Sequence, residues 1–222
     1  MPDDKTYAKI FEISKKSGNI TPVEAQTLIT NVKKIFDEVM CQKYAEREVR
    51  RLTTKFRDAG RRSAPWKPTS SRVPGRPQDG SDGNRINRWL LPTNHKFYAD
   101  EKTACLVEVR YYLMALSFKN SPIVNNDEFQ NTFKWLIPNK VSPGTYLDPI
   151  QLIDIDMDEV INDARLIQSG HLFPLDRGGR HEPKNTFLML ARSNQLQGNL
   201  SIDELLELME SIVHKHKQIK AK

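Results

Sequence analysis

The sequence predicts a mainly helical protein with a small α+β unit near its C-terminal end. Residues 1–59 and 95–164 repeat apolar side chains at helical spacing, whereas the order of apolar runs and breakers over residues 165–200 predicts strand, loop, strand and helix. At 222 residues the chain is long enough for a sizeable core and one or two domains. We expect a helical region over 1–59, a basic arm or linker over 60–94, a helical recognition or core region over 95–164, and the α+β unit with a final helix over 165–222.

The first region carries the signals of two helices. Residues 4–16 have the apolar spacing of a short amphipathic helix. Thr21-Pro22-Val23-Glu24 is a helix start, with a capping threonine, a proline in the first turn and an acid three residues after the cap. We expect a long helix from about residue 22 to residue 56. Its basic second half, residues 43–62, is typical either of a solvated face with coiled-coil-like packing or of a stripe that faces nucleic acid.

Residues 60–94 differ sharply from their surroundings. They contain five prolines and seven basic residues against two acids, with Trp66 and Trp89 between them. Such a composition does not build a packed core, so we expect a long loop or a partly disordered segment. The segment is either a plain linker or a basic arm that orders on a phosphate backbone, and its charge favours the arm.

The third region is predicted to be helical again. Residues 100–118 are strongly apolar and predict a core helix, and residues 125–136 predict a second helix with three aromatic side chains. A turn-rich connection follows, and the acidic stretch 154–163 leads into the last region. There, Ser201-Ile202-Asp203-Glu204 is a capping box that opens a final helix. We expect its apolar stripe to pack against the α+β unit: Leu205, Leu208, Met209 and Ile212.

The α+β unit contains the residues with the clearest chemistry. Residues 165–172 suit a strand, Pro174 and the Gly178-Gly179 pair predict a loop, residues 185–190 suit a second strand, and residues 191–197 suit a helix that Gly198 ends. This order places His171 at the end of a strand and Asn194 on the helix beside it. Histidine takes a proton from water near neutral pH, and an amide oxygen is a ligand suited to Mg²⁺. Asn185 is expected to tie down the ends of the loop through its amide.

The string from Gly170 to Asn194 resembles the motif of HNH (ββα-metal) endonucleases. Asn185 and Asn194 are nine residues apart and His171 and Asn185 fourteen, intervals that this family uses. The resemblance covers about residues 165–200, under a fifth of the chain. It implies catalytic roles for His171, Asn185 and Asn194, with His171 as general base, Asn185 as the structural residue of the loop, and Asn194 as ligand of a catalytic Mg²⁺ or Mn²⁺.

Gly170 departs from the family pattern. Most HNH enzymes have an aspartate or histidine before the general base as a second metal ligand, and glycine coordinates nothing. One interpretation is a degenerate site; the other is a metal held by Asn194 alone, with water and phosphate oxygens, as in related non-specific nucleases that also have glycine there. We favour the second because the base and both asparagines are present. A carboxylate from elsewhere could take the place of the second ligand, and the spacing does not select one of the three candidates: Asp154, Asp156 or Asp176.

The resemblance implies double-stranded DNA as the partner. The formal charge of +6 and the pI near 9.2 are compatible with that partner without proving it. We expect DNA contacts from the loop and from the basic arm: Arg177, Arg180, His181, Lys184, Arg61, Arg62, Arg72, Arg76, Arg85 and Arg88. No membrane partner is expected, and a homodimer is possible.

Cysteine usage and the N-terminal sequence bound the remaining expectations. Cys41 and Cys105 lack the paired spacing of a structural zinc site, so we expect neither zinc nor disulfides. Without a signal-like start or an apolar span, a cytoplasmic protein is expected. The resemblance predicts a sequence-specific, type II restriction-type enzyme. The alternatives are a DNA-binding or sensing protein whose HNH unit does not cut, and a non-specific phage or toxin nuclease.

Overall fold

The computed structural model describes residues 3–63 and 85–220, and within these ranges the chain is mostly helical with two small antiparallel sheets. This confirms the mainly helical class. The helices are α1 (Asp4–Ser14), α2 (Pro22–Met40), α3 (Glu46–Gly60), α4 (Glu101–Leu116), α5 (Asp127–Thr132), α6 (Met157–Asn162), α7 (Ala191–Gln197) and α8 (Ile202–Lys220). The strands are β1 (Arg62–Ser63), β2 (Ile86–Asn87), β3 (Ile167–His171) and β4 (Thr186–Leu190).

The core is built around α4, which packs against α2, α3 and β4. Every residue from Ala104 to Leu116 is buried, so this helix is covered on all sides, as a central helix must be. Phe36, Phe56 and Tyr112 meet at its surface, with ring centroids 5.2–5.9 Å apart. One hydrophobic cluster runs from Ile10 to Leu188, so the strands of the C-terminal region share the core of the N-terminal helices.

The prediction of one helix from residue 22 to residue 56 was wrong. The predicted capping box of Thr21 and Glu24 is present, but α2 ends at Met40 and α3 begins at Glu46. At the turn between them, Tyr44 Oη donates to the carboxylate of Asp158 at 2.8 Å, and Lys43 pairs with the same carboxylate. These contacts hold the turn against the start of α6, so tertiary interactions override a sequence without a helix breaker. The turn lets α3 fold back onto α4.

Strands β1 and β2 bring the two ends of the predicted arm together. Arg62 pairs with Asn87 and Ser63 with Ile86. The middle of the arm, including Arg72 and Arg76, lies outside the described residues.

The final helix forms with its predicted capping box: the backbone N–H of Ser201 donates to the Glu204 carboxylate, and the N–H of Glu204 donates to Ser201 Oγ. The packing of its stripe was predicted wrongly. Leu205 is buried, but Leu208, Met209 and Ile212 are exposed because α8 leaves the body of the protein after its first turn. Among the described residues, no helix is long and apolar enough to cross a membrane.

Candidate functional site

Strands β3 and β4 and helix α7, called the ββα unit below, hold the candidate site. The strands pair antiparallel from Ile167 opposite Leu190 to His171 opposite Thr186. Pro174 and Gly178 shape the connecting loop, and Gly178 adopts a positive φ of 89° that favours glycine. Helix α7 begins directly after β4. His171 therefore stands at the end of β3, next to the loop.

Asn185 closes the loop between the strands. Its Nδ2 donates to the carbonyl oxygens of Phe173 at 3.0 Å and Arg180 at 2.9 Å, and its Oδ1 accepts from the N–H of Phe173 at 2.8 Å. The buried amide thus satisfies three backbone groups on the two sides of the loop.

Two further buried polar side chains fix α7 against the strands. Asp148 lies in the segment before β3, and its carboxylate accepts from the N–H of Leu190 and from Ser193 Oγ, both at 2.8 Å. Gln197, in the last turn of α7, donates to the carbonyl oxygen of His171 at 2.9 Å. The helix is therefore held at its start by the body of the protein and at its end by β3.

His171 forms a chain of hydrogen bonds with a second histidine. Its Nε2 lies 3.1 Å from Nδ1 of His181, and Nε2 of His181 lies 2.8 Å from the carbonyl oxygen of Gly60 at the end of α3. A carbonyl oxygen only accepts, so His181 donates from Nε2. The neutral His181 ring then accepts at Nδ1, and His171 must donate from Nε2.

Burial keeps both rings neutral. Burial, and then the positive charge of Arg88, lower the pKa of His171 to about 4. The pKa of His181 is held well below its usual value mainly by burial, with Arg88 and His171 adding to the effect. In this arrangement Nδ1 of His171 carries a lone pair, and no described residue offers it a hydrogen bond. His171 is thus a preformed base with one free nitrogen.

A cavity of about 620 Å³ opens beside this base. His171 and Asn194 both line it, together with Gln168 of β3. Nδ2 of Asn194 donates to Oε1 of Gln168 at 2.7 Å, which leaves Oδ1 of Asn194 without a hydrogen bond among the described residues. A free amide oxygen oriented in this way fits a single protein ligand of Mg²⁺, since this ion usually keeps several waters.

Gly170 is buried between Met189 and Asn194. A Cβ atom at this position would lie 2.6 Å from Sδ of Met189 and 3.0 Å from Oδ1 of Asn194. Position 170 therefore faces the candidate metal ligand, but Met189 fills the space that a second ligand needs. Among the described residues there is no group of three or more His, Cys, Asp or Glu side chains placed to hold a metal ion.

The three aspartates considered as extra ligands have other partners. Asp176 lines the cavity and pairs with Lys96 at 2.6 Å. Asp154 lies 3.7 Å from Lys119, and Asp156 caps α6 and binds the Asn120 amide. Of these three aspartates, only Asp176 borders the cavity.

Two of the predicted DNA contacts do not fit their positions. His181 is buried in the histidine chain, so its side chain does not reach solvent. Arg88 is buried as well, because it donates to the backbone carbonyls of Gly60, Phe97 and Ala59. These two residues organise the site from within.

The other predicted DNA contacts differ in how closely their charges are paired and how exposed they are. Arg61 pairs with the buried Glu108, Arg62 and Arg85 pair with Asp58, and Arg177 pairs with Glu204 of α8. By contrast, Arg180 is exposed without an ion pair among the described residues, and Lys184, which lies 3.4 Å from the Glu182 carboxylate, keeps 84% of its side chain exposed. Arg180 and Lys184 are the loop cations with most freedom to meet an anion.

Sequence reasoning missed part of the cavity wall. Lys55 and Asp58 of α3 line it, although more than 100 residues separate them from the ββα unit. Lys55 donates to the carbonyl oxygen of Ala164 at 2.6 Å, and burial lowers its pKa. Gln168 could have been found from the sequence. It lies two residues before Gly170 in the same strand, so the two residues share one face of that strand.

No protein-family model matches the sequence, and no curated protein matches it. Solved structures do resemble the chain, among them one titled "Crystal structure of a type II restriction endonuclease". That likeness has a TM-score of 0.48 and 20% sequence identity, and it covers 60% of this chain and 62% of that chain. The chain therefore spans less than two thirds of the length of that structure.

Proposed function

We propose that this protein is a metal-dependent endonuclease of the HNH type that hydrolyses phosphodiester bonds in double-stranded DNA. One observation carries the proposal: His171 and Asn194 line the same cavity, on a β3–β4–α7 arrangement whose loop is closed by Asn185. A histidine and two asparagines in these positions match the roles that the family resemblance implies.

In this proposal His171 is the general base. Its Nδ1 takes the proton from the water that attacks phosphorus, and its Nε2 stays bonded to His181. Because burial lowers the pKa of His171 to about 4, the base is unprotonated at neutral pH without a prior loss of a proton. When the proton arrives, the nearby charge of Arg88 favours its onward release to solvent.

Asn194 is the proposed metal ligand, and Gln168 holds its amide in place. A bound Mg²⁺ or Mn²⁺ supplies positive charge beside the phosphate and the leaving oxygen. Arg180 and Lys184 are proposed to bind flanking phosphates, since both are exposed on the loop next to the site. We also propose that cleavage is sequence-specific, as in restriction enzymes. The helical regions that precede the motif support this, because they offer a surface that could recognise a DNA sequence.

A DNA-binding protein that does not cut is the second candidate. The observation in its favour is the space at Gly170, which Met189 fills where most HNH enzymes carry a second ligand. The same protein would keep the exposed cations and bind DNA without hydrolysing it.

Incubation of the full chain with supercoiled plasmid separates these functions. We expect cleavage with Mg²⁺ and none with EDTA. Discrete fragments indicate a restriction-type enzyme and a smear indicates a non-specific nuclease. An intact plasmid that only shifts in a gel rejects the nuclease and favours the second candidate.

The matched variants lie on one helix. Asn194→Ala removes the proposed ligand and should abolish cleavage at ordinary Mg²⁺ concentrations, with partial rescue by excess Mn²⁺. Gln195→Ala removes a neighbouring amide that is exposed on α7 and should leave the rate unchanged. Equal activity of both variants would reject Asn194 as the metal ligand.

A further inference from the structure

Helix α8 projects from the protein without support. Leu205 is buried and Glu204 binds Arg177, but every residue from 206 to 220 is exposed. At about 1.5 Å per residue these fifteen residues extend roughly 22 Å. A helix of this length is marginal in water by itself, because most helical stability in proteins comes from packing of an apolar face. The projecting part of α8 therefore lacks its packing partner.

The uncovered face of α8 is apolar and continuous. Its members, called the α8 stripe below, are each between 45% and 72% exposed: Leu206, Leu208, Met209, Ile212, Val213 and Ile219. Their spacing places them along one side of the helix. Single exposed apolar side chains are ordinary, but a contiguous group on a projecting helix marks an interaction surface.

The charges of α8 are divided between its two halves. The first half carries Asp203, Glu204, Glu207 and Glu210, and the second half carries Lys215, Lys217 and Lys220. The helix dipole favours this order at the ends, but Glu207, Glu210 and Lys215 lie away from the first and last turns. Among the described residues, no ion pair involves Glu207, Glu210 or the three lysines. The charged halves are thus free to meet a partner of opposite polarity.

We infer that the α8 stripe is a self-association surface on which a second copy of this chain packs its own α8 in the antiparallel direction. In that direction, a two-fold axis between Met209 and Ile212 sets each of these residues against the other in the second copy. The acidic half of one helix then lies beside the basic half of its partner. A parallel pair would set like charges side by side, which is unfavourable. The sequence of α8 is therefore complementary to itself in one orientation.

The mass of the full chain in solution tests this surface without DNA, so the outcome is independent of the proposed nuclease activity. We expect light scattering to give twice the chain mass of 25.6 kDa, falling to the chain mass on dilution. The double variant Met209→Glu with Ile212→Glu should be monomeric at all concentrations. The control Ser211→Glu with Gln218→Glu adds the same charge on the opposite side and should remain dimeric. A monomeric wild type, or a stripe variant that still dimerises, overturns the inference.

Charge exchange tests the orientation. A variant with Glu210→Lys, Lys215→Glu and Lys217→Glu reverses the polarity of the charges that flank the stripe and leaves the stripe itself unchanged. We expect it to dimerise with itself and to form no mixed dimer with the wild-type chain, because antiparallel mixing sets like charges together. Helix content by circular dichroism checks that each variant folds. Efficient formation of mixed dimers would overturn the antiparallel orientation.

Discussion

The helical body of this protein, α1 to α4, and the ββα unit are held together by different interactions. The body depends on apolar packing: α4 is buried along its length, and aromatic rings of α2 and α3 fill the space around it. The ββα unit depends on a few buried polar side chains, each bonded to backbone groups at defined positions. Apolar packing tolerates small shifts, whereas hydrogen bonds fix directions. We therefore expect substitutions in the body to change stability, and substitutions in the ββα unit to change activity first.

The largest expected effect is on cleavage. His171→Ala should lower the rate by about 10²–10⁴-fold, the range for loss of a general base, while DNA binding changes little and the unfolding midpoint falls modestly because His181 loses its donor. Cleavage assays, gel shifts and thermal unfolding on the same preparation measure the three quantities. A variant that cuts at nearly the wild-type rate rejects His171 as the base.

The second effect belongs to the body. Phe56 is fully buried against Phe36 and Tyr112, so Phe56→Ala should lower the free energy of unfolding by about 3–5 kcal/mol. Denaturant unfolding measures this change. Val23→Ala is the control, because Val23 is exposed and its truncation should cost less than about 0.5 kcal/mol. If Phe56→Ala abolished cleavage while stability held, the contrast between the two regions would fail.

The third effect is a pH dependence of stability. His171 has a folded-state pKa of about 4 against an ordinary 6.5, so the unfolded chain binds the proton more readily between these values. Stability should fall as the pH drops from 6.5 towards 4, by up to about 3 kcal/mol for this group. Other groups titrate in the variant as well, so the difference between wild type and His171→Ala gives the contribution of His171 together with its effect on the pKa of His181. Equal pH slopes for the two proteins would contradict the lowered pKa.

The smallest effect separates the two asparagines. Asn185→Ala leaves three backbone groups of the loop without partners and should cost about 1–3 kcal/mol. Asn194→Ala removes only the bond to Gln168 and should change stability less than Asn185→Ala does. Thermal unfolding of both variants is the measurement. A larger loss for Asn194→Ala would reverse these structural assignments.

Local signals in the sequence predicted the ββα unit closely. Turn residues and β-rich runs are decided by neighbours in the chain, and both strands, the loop and α7 lie where Pro174, the two glycines and Gly198 predict them. The break after Met40 was not predictable in this way, because Lys43 and Tyr44 are held by Asp158, over 110 residues later. The exposure of the α8 stripe was missed for a related reason. Periodicity identifies an apolar face without identifying what covers it.

The candidate site shows the same limit. The sequence singled out His171, Asn185 and Asn194, and it placed His181 near them, but it gave His181 a contact with DNA. The partner that buries His181 is the carbonyl oxygen of Gly60, 121 residues away. Lys55 was missed as a lining residue of the cavity for a similar reason, because α3 is distant from the ββα unit in sequence and lies next to it only in the folded protein.

The bond between His181 and Gly60 determines whether the ββα unit would keep its histidine arrangement in another protein. Gly60 lies so close to α4 that a Cβ atom there would be 2.8 Å from Cα of Glu108, so no side chain fits at that point. The carbonyl that orders the two histidines is thus supplied by the contact of α3 with α4, outside the motif. A graft of residues 165–222 onto another scaffold would carry the motif but leave its proton acceptor without an anchor. Reuse of this unit, in evolution or in engineering, requires a host that offers a carbonyl in the same place.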